Sequence, residues 1–203
     1  VSMVGLLFTV VFYTKYESNE EYLRQIDSFE HSTIAMESVT ENYLEGEQHV
    51  CDVWSHYINA KGTSLSEAVD FVANSHVSPT VSAHFIYTDT LTGLSTRPSI
   101  SDPDSYEVSY KNYDLFKNTD WISPLGESIN ISRAFTNPIN GEQSLAFCNR
   151  INIIEEGESK EVLLLRIVPL SDLKDKWVFP QEEFEKAEIS IIDSDGNYII
   201  KGN

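Results

Sequence analysis

The sequence predicts an α+β fold: a long N-terminal helix, a five-stranded antiparallel sheet, and the opening hairpin of a second, truncated domain. Three observations predict it. Between residues 17 and 60, a four-three spacing runs on without a proline, over a length few single domains need. From His84 onward the period changes to alternation and short apolar runs, the texture of strands. Thr92-Gly93, Asn140-Gly141 and Asp195-Gly196 separate those runs, and such dipeptides join antiparallel neighbours.

The chain opens on VSMVGLLFTVVFY, residues 1–13, without a charge. A helix crossing a bilayer needs roughly 20 apolar residues. Two readings stand: the outer part of a transmembrane helix that lacks its inner end, or the core of a signal peptide. The flank Thr14-Lys15-Tyr16-Glu17 is not a small-residue cleavage site, which favours the membrane helix. The chain is then expected to be a fragment of a larger membrane protein, extracellular or periplasmic after about Thr14.

Residues 14–62 are predicted as one stalk helix. Tyr22, Ile26, Phe29, Thr33, Met36, Thr40, Tyr43, Glu47, Val50, Trp54 and Tyr57 form a heptad seam. Ser18 can cap its start, Glu20 and Glu21 suit its first turn, and Lys61-Gly62 ends it. At 1.5 Å per residue it reaches roughly 65 Å. That exceeds one small domain, so part is expected to stand free or pair with a second copy. Trp54 and Tyr57 are expected to pack on the chain's own domain.

Ser64 and Glu67 stand at capping-box spacing and open a short helix with Leu65, Ala68, Val69 and Val72 on its apolar face. Strands are expected at 84–88, 94–97, 131–136, 144–154 and 162–170. The last is the most apolar, hence central, and Pro169 closes it. Residues 101–116, rich in tyrosine, read as a loop with a short helix at 110–116. Residues 155–160 read as a polar turn, and 189–192 with 198–200 as the final hairpin.

Hydrophobic residues make up 41% of the 203, and aromatic ones 11%, enough for a packed core. The net charge of -18 repels nucleic acid and anionic lipid alike. Cys51 and Cys148 either form one disulfide or are two buried thiols, and no C-x-x-C suggests a redox or zinc motif. His49, Asp52 and His56 share a helix face at a spacing open to a metal, but no fourth ligand is identifiable, and a solvated or packed face is the better reading. Residues 193–197, DSDGN, place glycine too early for a calcium loop and read as a turn. There is no phosphate loop, no G-x-S-x-G and no H-E-x-x-H. No catalytic residue, no cofactor and no enzyme is expected within these residues.

A partial membrane helix, a long exterior helix and a PAS-like five-stranded sheet together resemble the double Cache family of bacterial extracellular sensor domains. Residues 189–200, ISIIDSDGNYII, look like the hairpin that opens that family's membrane-proximal domain. The resemblance implies four parts: a partial transmembrane helix at 1–13, a stalk at 14–62, a membrane-distal PAS-like domain at 63–178, and the start of a proximal domain at 179–203. It implies a small-molecule sensor signalling through the long helix to a cytoplasmic output domain. A histidine kinase comes first, a diguanylate cyclase or chemotaxis transducer next. Amino-acid-binding members carry Arg-x-Trp-Tyr, whereas this chain has Tyr110-Lys111-Asn112-Tyr113 and then Trp121. The fifth strand ends at Arg166 to Pro169 without an acid, so amino-acid binding is not carried over.

A pocket in such a domain lies between the sheet and its covering loop. Its candidate residues are Tyr87, Tyr110, Tyr113, Trp121, Arg133, Phe135 and Arg150. Aromatics stack on ligands, and either arginine can hold a carboxylate by paired hydrogen bonds. The alternative for each aromatic is ordinary core, and for each arginine a surface ion pair. Expected partners are a small molecule of unknown identity, the membrane through the N-terminal helix, and a second copy through the long helix, with no nucleic acid. The alternative function is a ligand-free structural or adhesive ectodomain.

Overall fold

The computed structural model describes residues 7–11, 19–75, 78–116, 130–177, 188–192, 196 and 198–200. In chain order the elements are β1 (Leu7–Val11), α1 (Asn19–Lys61), α2 (Leu65–Ser75), β2 (Ser82–Tyr87), β3 (Thr92–Ser95) and β4 (Glu107–Ser109). A single 3₁₀ turn (Asp114–Phe116) follows, then β5 (Phe135–Thr136), β6 (Gln143–Glu155), β7 (Glu158–Pro169), α3 (Leu170–Lys174), β8 (Glu188–Ile192) and β9 (Tyr198–Ile200). The fold is α+β with a long N-terminal helix and an antiparallel sheet of six strands. These elements divide into two compact units. One runs from Glu45 to Asp172. The other takes the described residues up to Leu44 and from Leu173 onward.

α1 is unbroken over 43 residues. It ends at Gly62, whose φ of 65° belongs to the left-handed region that glycine enters freely. That turn lets Gly62 N donate to Ile58 O at 3.0 Å, closing the last turn. Ser18, the expected cap at the other end, lies outside the described residues. α2 begins with a reciprocal capping box. Glu67 N donates to Ser64 Oγ (3.3 Å), and Ser64 N donates to Glu67 Oε2 (3.0 Å). Leu65, Ala68 and Val72 face inward.

In the Glu45–Asp172 unit the sheet order is β4-β3-β2-β7-β6-β5, antiparallel throughout. β7 is central, as its apolar run predicts. Six strands stand where five were expected, and the added one is β4. Its three residues carry one buried side chain, Val108, which leaves no alternation to read. The strand expected at 131–136 shrinks to β5 and an isolated bridge between Ile131 and Phe147. The polar turn expected at 155–160 tightens to Glu156 and Gly157. Both have positive φ, 53° and 85°, as a two-residue turn matched to strand twist requires. A Cβ on Gly93 would fall 1.7 Å from Phe85 O, so β2 and β3 pair this closely only around glycine.

The end of α1 lies on one face of this sheet. Cys51 Sγ sits 3.8 Å from Phe147 O and from Leu164 O. Gln48, Cys51, Trp54, Ser55 and Ile58 are buried, whereas Val50 is half-buried and Tyr57 exposed, although Tyr57 stacks on Phe71 of α2 with ring centroids 4.0 Å apart. The buried stripe at this end therefore shares Trp54 with the heptad seam and otherwise departs from it. A helix of 3.6 residues per turn drifts against a 3.5-residue repeat, and a sheet does not impose the supercoil that corrects the drift. Cys148 points to the opposite face, since it pairs with Leu165 and not with Leu164. Both cysteines are free and buried.

In the second unit the sheet order is β1-β8-β9. The expected final hairpin is present, with Ile191 opposite Ile200. The N-terminal run departs from expectation: Leu7–Val11 is a strand and not a helix, paired with β8 from Leu7↔Ile192 to Val11↔Glu188. A short apolar run fits strand or helix equally by periodicity, and Thr9, Val10 and Val11 are β-branched. The rest of residues 1–13 lies outside the described residues. Among those described, no helix is long and apolar enough to cross a membrane. In the same unit Trp177 Nε1 donates to Thr40 Oγ1 on α1 at 2.9 Å.

Candidate ligand site

The sheet face opposite α1 carries an aromatic cluster. Register puts Ser82, His84 and Ile86 on this face with Leu163, Leu165, Ile167, Ala146 and Cys148. Tyr110 lies at its centre, fully buried. Tyr113 and Phe116 meet its ring edge-on, with centroids 5.5 and 5.4 Å away, and Phe135 lies 6.1 Å away at a tilt. Leu115 and Ile139 fill the remaining side. The loop from β4 into the 3₁₀ turn delivers three of these rings, and the edge segment of β5 delivers the fourth.

One polar line crosses the cluster. His84 Nδ1 lies 2.7 Å from Tyr110 Oη, and His84 Nε2 lies 3.0 Å from Ser82 Oγ. A hydroxyl donates or accepts, so neutral His84 satisfies both partners in either tautomer. Burial drives the imidazole pKa down to about 3 and holds the Tyr110 phenol well above its ordinary value. His84 is therefore neutral and Tyr110 keeps its proton. An uncharged pair inside an apolar cluster suits hydrogen bonding to a neutral group and gives no counter-charge to a carboxylate.

Of the sequence-predicted residues, Tyr110, Tyr113 and Phe135 come together here. Trp121 lies outside the described residues. Tyr87 sits on the α1 face, half-buried, and its hydroxyl donates to Glu155. Desolvation first, then that carboxylate, pushes the Tyr87 phenol up to about 12. It lines an open groove of about 720 Å³ with Leu65 of α2 and with Thr92, Leu94, Glu107 and Ser109. Arg150 is exposed and pairs with Glu161 at 2.7 Å, its diagonal cross-strand neighbour. Arg133 is also exposed. The two arginines do not converge. The strand segment of Arg133 meets β6 at Ala146, four positions from Arg150, about 13 Å along the strand.

Sequence reasoning missed His84, which reads simply as one residue of a strand. Its signal was a lone histidine between apolar neighbours on that strand. Also missed were the polar contacts on the α1 face. Arg166 is buried, its Nη2 lies 2.5 Å from Glu47 Oε2, and its guanidinium stacks 4.9 Å from the Trp54 ring centroid. Asp52 Oδ1 accepts from Gln48 Nε2 (2.7 Å) and Asn149 Nδ2 (2.8 Å), so this carboxylate is turned toward the sheet. His56 Nδ1 donates to Asp52 O at 2.8 Å.

No protein-family model matches the chain, and no curated protein matches it in sequence.

Proposed function

We propose that this chain is the extracellular signal-sensing part of a bacterial transmembrane receptor of the double Cache type, with a PAS-like domain that binds a small molecule. The carrying observation is a sheet with the long helix on one face and an aromatic cluster with a neutral polar pair on the other. With edge strand β4 set aside, five strands remain, the number the resemblance implies. The ligand is taken to be an uncharged or aromatic small molecule stacking near Tyr113 and Phe135, two of the half-buried members of the cluster. α1 is taken as the transmitting element and as the contact between two copies, and β8 with β9 as part of the membrane-proximal domain. The output domain, a histidine kinase by preference, belongs to the longer protein this reading assumes.

A thermal-shift screen of metabolites tests the reading, because a ligand that binds only the folded chain raises its apparent stability. Tyr113→Ala and Phe135→Ala should abolish the gain, and Arg150→Ala should leave it intact. A second reading, a ligand-free structural or adhesive ectodomain, is favoured by the complete burial of Tyr110 beneath its own neighbours. A screen in which no compound shifts the melting temperature selects it. The paired-receptor claim is checked separately with a cysteine at Ile26, which is exposed on α1. Failure of that variant to crosslink in membranes removes the dimer.

A further inference from the structure

The segment from Asn130 to Ile139 contributes to both faces of the six-stranded sheet. At its start Asn130 is fully buried. Asn130 N donates to Gln48 Oε1 on α1 at 3.0 Å, and Asn130 Nδ2 donates to Cys148 O at 3.1 Å. Ser132 continues along β6, its N–H on Ala146 O (2.8 Å) and its Oγ accepting from Ala146 N (2.9 Å). A few residues later Phe135 and Ile139 enter the cluster around Tyr110, on the opposite face. Past Ser132 the segment is held to the sheet through the two residues of β5, at its edge.

Gln48 is fixed at its other end as well. Its Nε2 donates to Asp52 Oδ1 and lies 3.4 Å from Asn149 Oδ1, while Asn149 Nδ2 donates to the same Asp52 oxygen. Both ends of the Gln48 and Asn149 amides are engaged. Asn130 cannot shift along β6 without breaking a buried hydrogen bond to α1, and an unpaired buried amide is costly.

We infer that Gln48 is a positioning residue that ties the edge segment 130–139 to α1, so that a change in packing around Tyr110 reaches the helix on the far side of the sheet. Its use in signalling rests on the sensor reading; the coupling itself is a property of the chain without ligand.

The two native thiols allow a direct test. In a full chain carrying Cys148→Ser, Cys51 is the remaining cysteine. It lies on α1 one turn from Gln48, buried against the sheet, so a thiol reagent such as iodoacetamide reaches it only when α1 lifts. Phe135→Ala should speed labelling of Cys51 by about tenfold, the scale of coupling between groups that share a network. The rate should stay flat in low denaturant, because a local opening exposes little surface. In a Gln48→Met background the same Phe135→Ala change should alter labelling by less than about twofold. Gln48→Asn, one methylene too short to reach Asn130, supplies the same comparison should Gln48→Met fail to fold. Equal fold-increases in both backgrounds, or labelling that follows only global unfolding, overturn the inference. A ligand found by thermal shift together with additive substitutions keeps the sensor reading and removes this route. Coupling in a chain that no ligand stabilises does the reverse.

Discussion

His84 is where a single residue sets a condition on the whole domain. Its folded pKa, about 3, lies below the ordinary imidazole value of 6.5 because burial penalises the imidazolium. Between those values the unfolded chain binds a proton at this position and the folded chain does not. Stability from His84 is therefore complete above pH 6.5 and is lost as pH falls toward 3, by up to roughly 1.4 kcal/mol per pH unit. Urea titrations from pH 7 to 4 should show this slope, and His84→Gln should flatten it. A wild-type chain equally stable at pH 7 and pH 5 would contradict the buried neutral assignment. Tyr110 and Ser82 are the groups that contact the ring directly, and neither carries charge in this range.

At the scale of elements, the junction of α1 with β7 is held by an ion pair removed from water. Glu47 and Arg166 are both largely buried, and Arg166 Nη1 has no partner among the described residues. Desolvation of such a pair cancels much of its attraction, whereas an orphaned partner is expensive. Glu47→Ala should cost about 3–5 kcal/mol, while Glu47→Leu combined with Arg166→Met should fall within about 1 kcal/mol of the wild type. Denaturant midpoints at unchanged slope provide the comparison. Local chemistry made several of these elements legible in the sequence. The Ser64–Glu67 cap, the Gly62 stop, the β8–β9 hairpin and the tyrosine-rich approach to the cluster all depend on neighbours a few residues apart. What stayed hidden depends on distant pairing. The heptad spacing of α1 named Tyr57 and missed Cys51, because the surface that selects the buried stripe is a sheet formed about a hundred positions later. Leu7–Val11 became a strand through a partner at the other end of the chain. Arg150 was taken from a pocket by Glu161, a register effect that composition does not reveal.

For the molecule as a whole, the division into two compact units carries its own expectation. The unit from Glu45 to Asp172 contains the six-stranded sheet, the end of α1, α2 and the aromatic cluster, and so has its own core. A chain of residues 45–177 should unfold in one cooperative transition and keep the pH response of His84. Loss of cooperativity in that piece would show that the sheet needs the remainder of the protein. The net charge of -18 acts over the same scale. It disfavours anionic ligands at any distance the salt does not screen, consistent with a neutral polar pair inside the cluster.

The β6–β7 hairpin has a timing consequence during synthesis. Its pairing runs from Ser144↔Pro169 to Glu155↔Glu158, all close in sequence, so it zips from its own tight turn as soon as it emerges. α1 leaves the ribosome long before it, and Cys51 must wait for Leu164, 113 residues later. At an elongation speed of about 5–20 residues per second that delay is about 6–23 s. For those seconds Trp54 and Ile58 have no sheet to cover them, which makes the nascent helix a ready client for a chaperone.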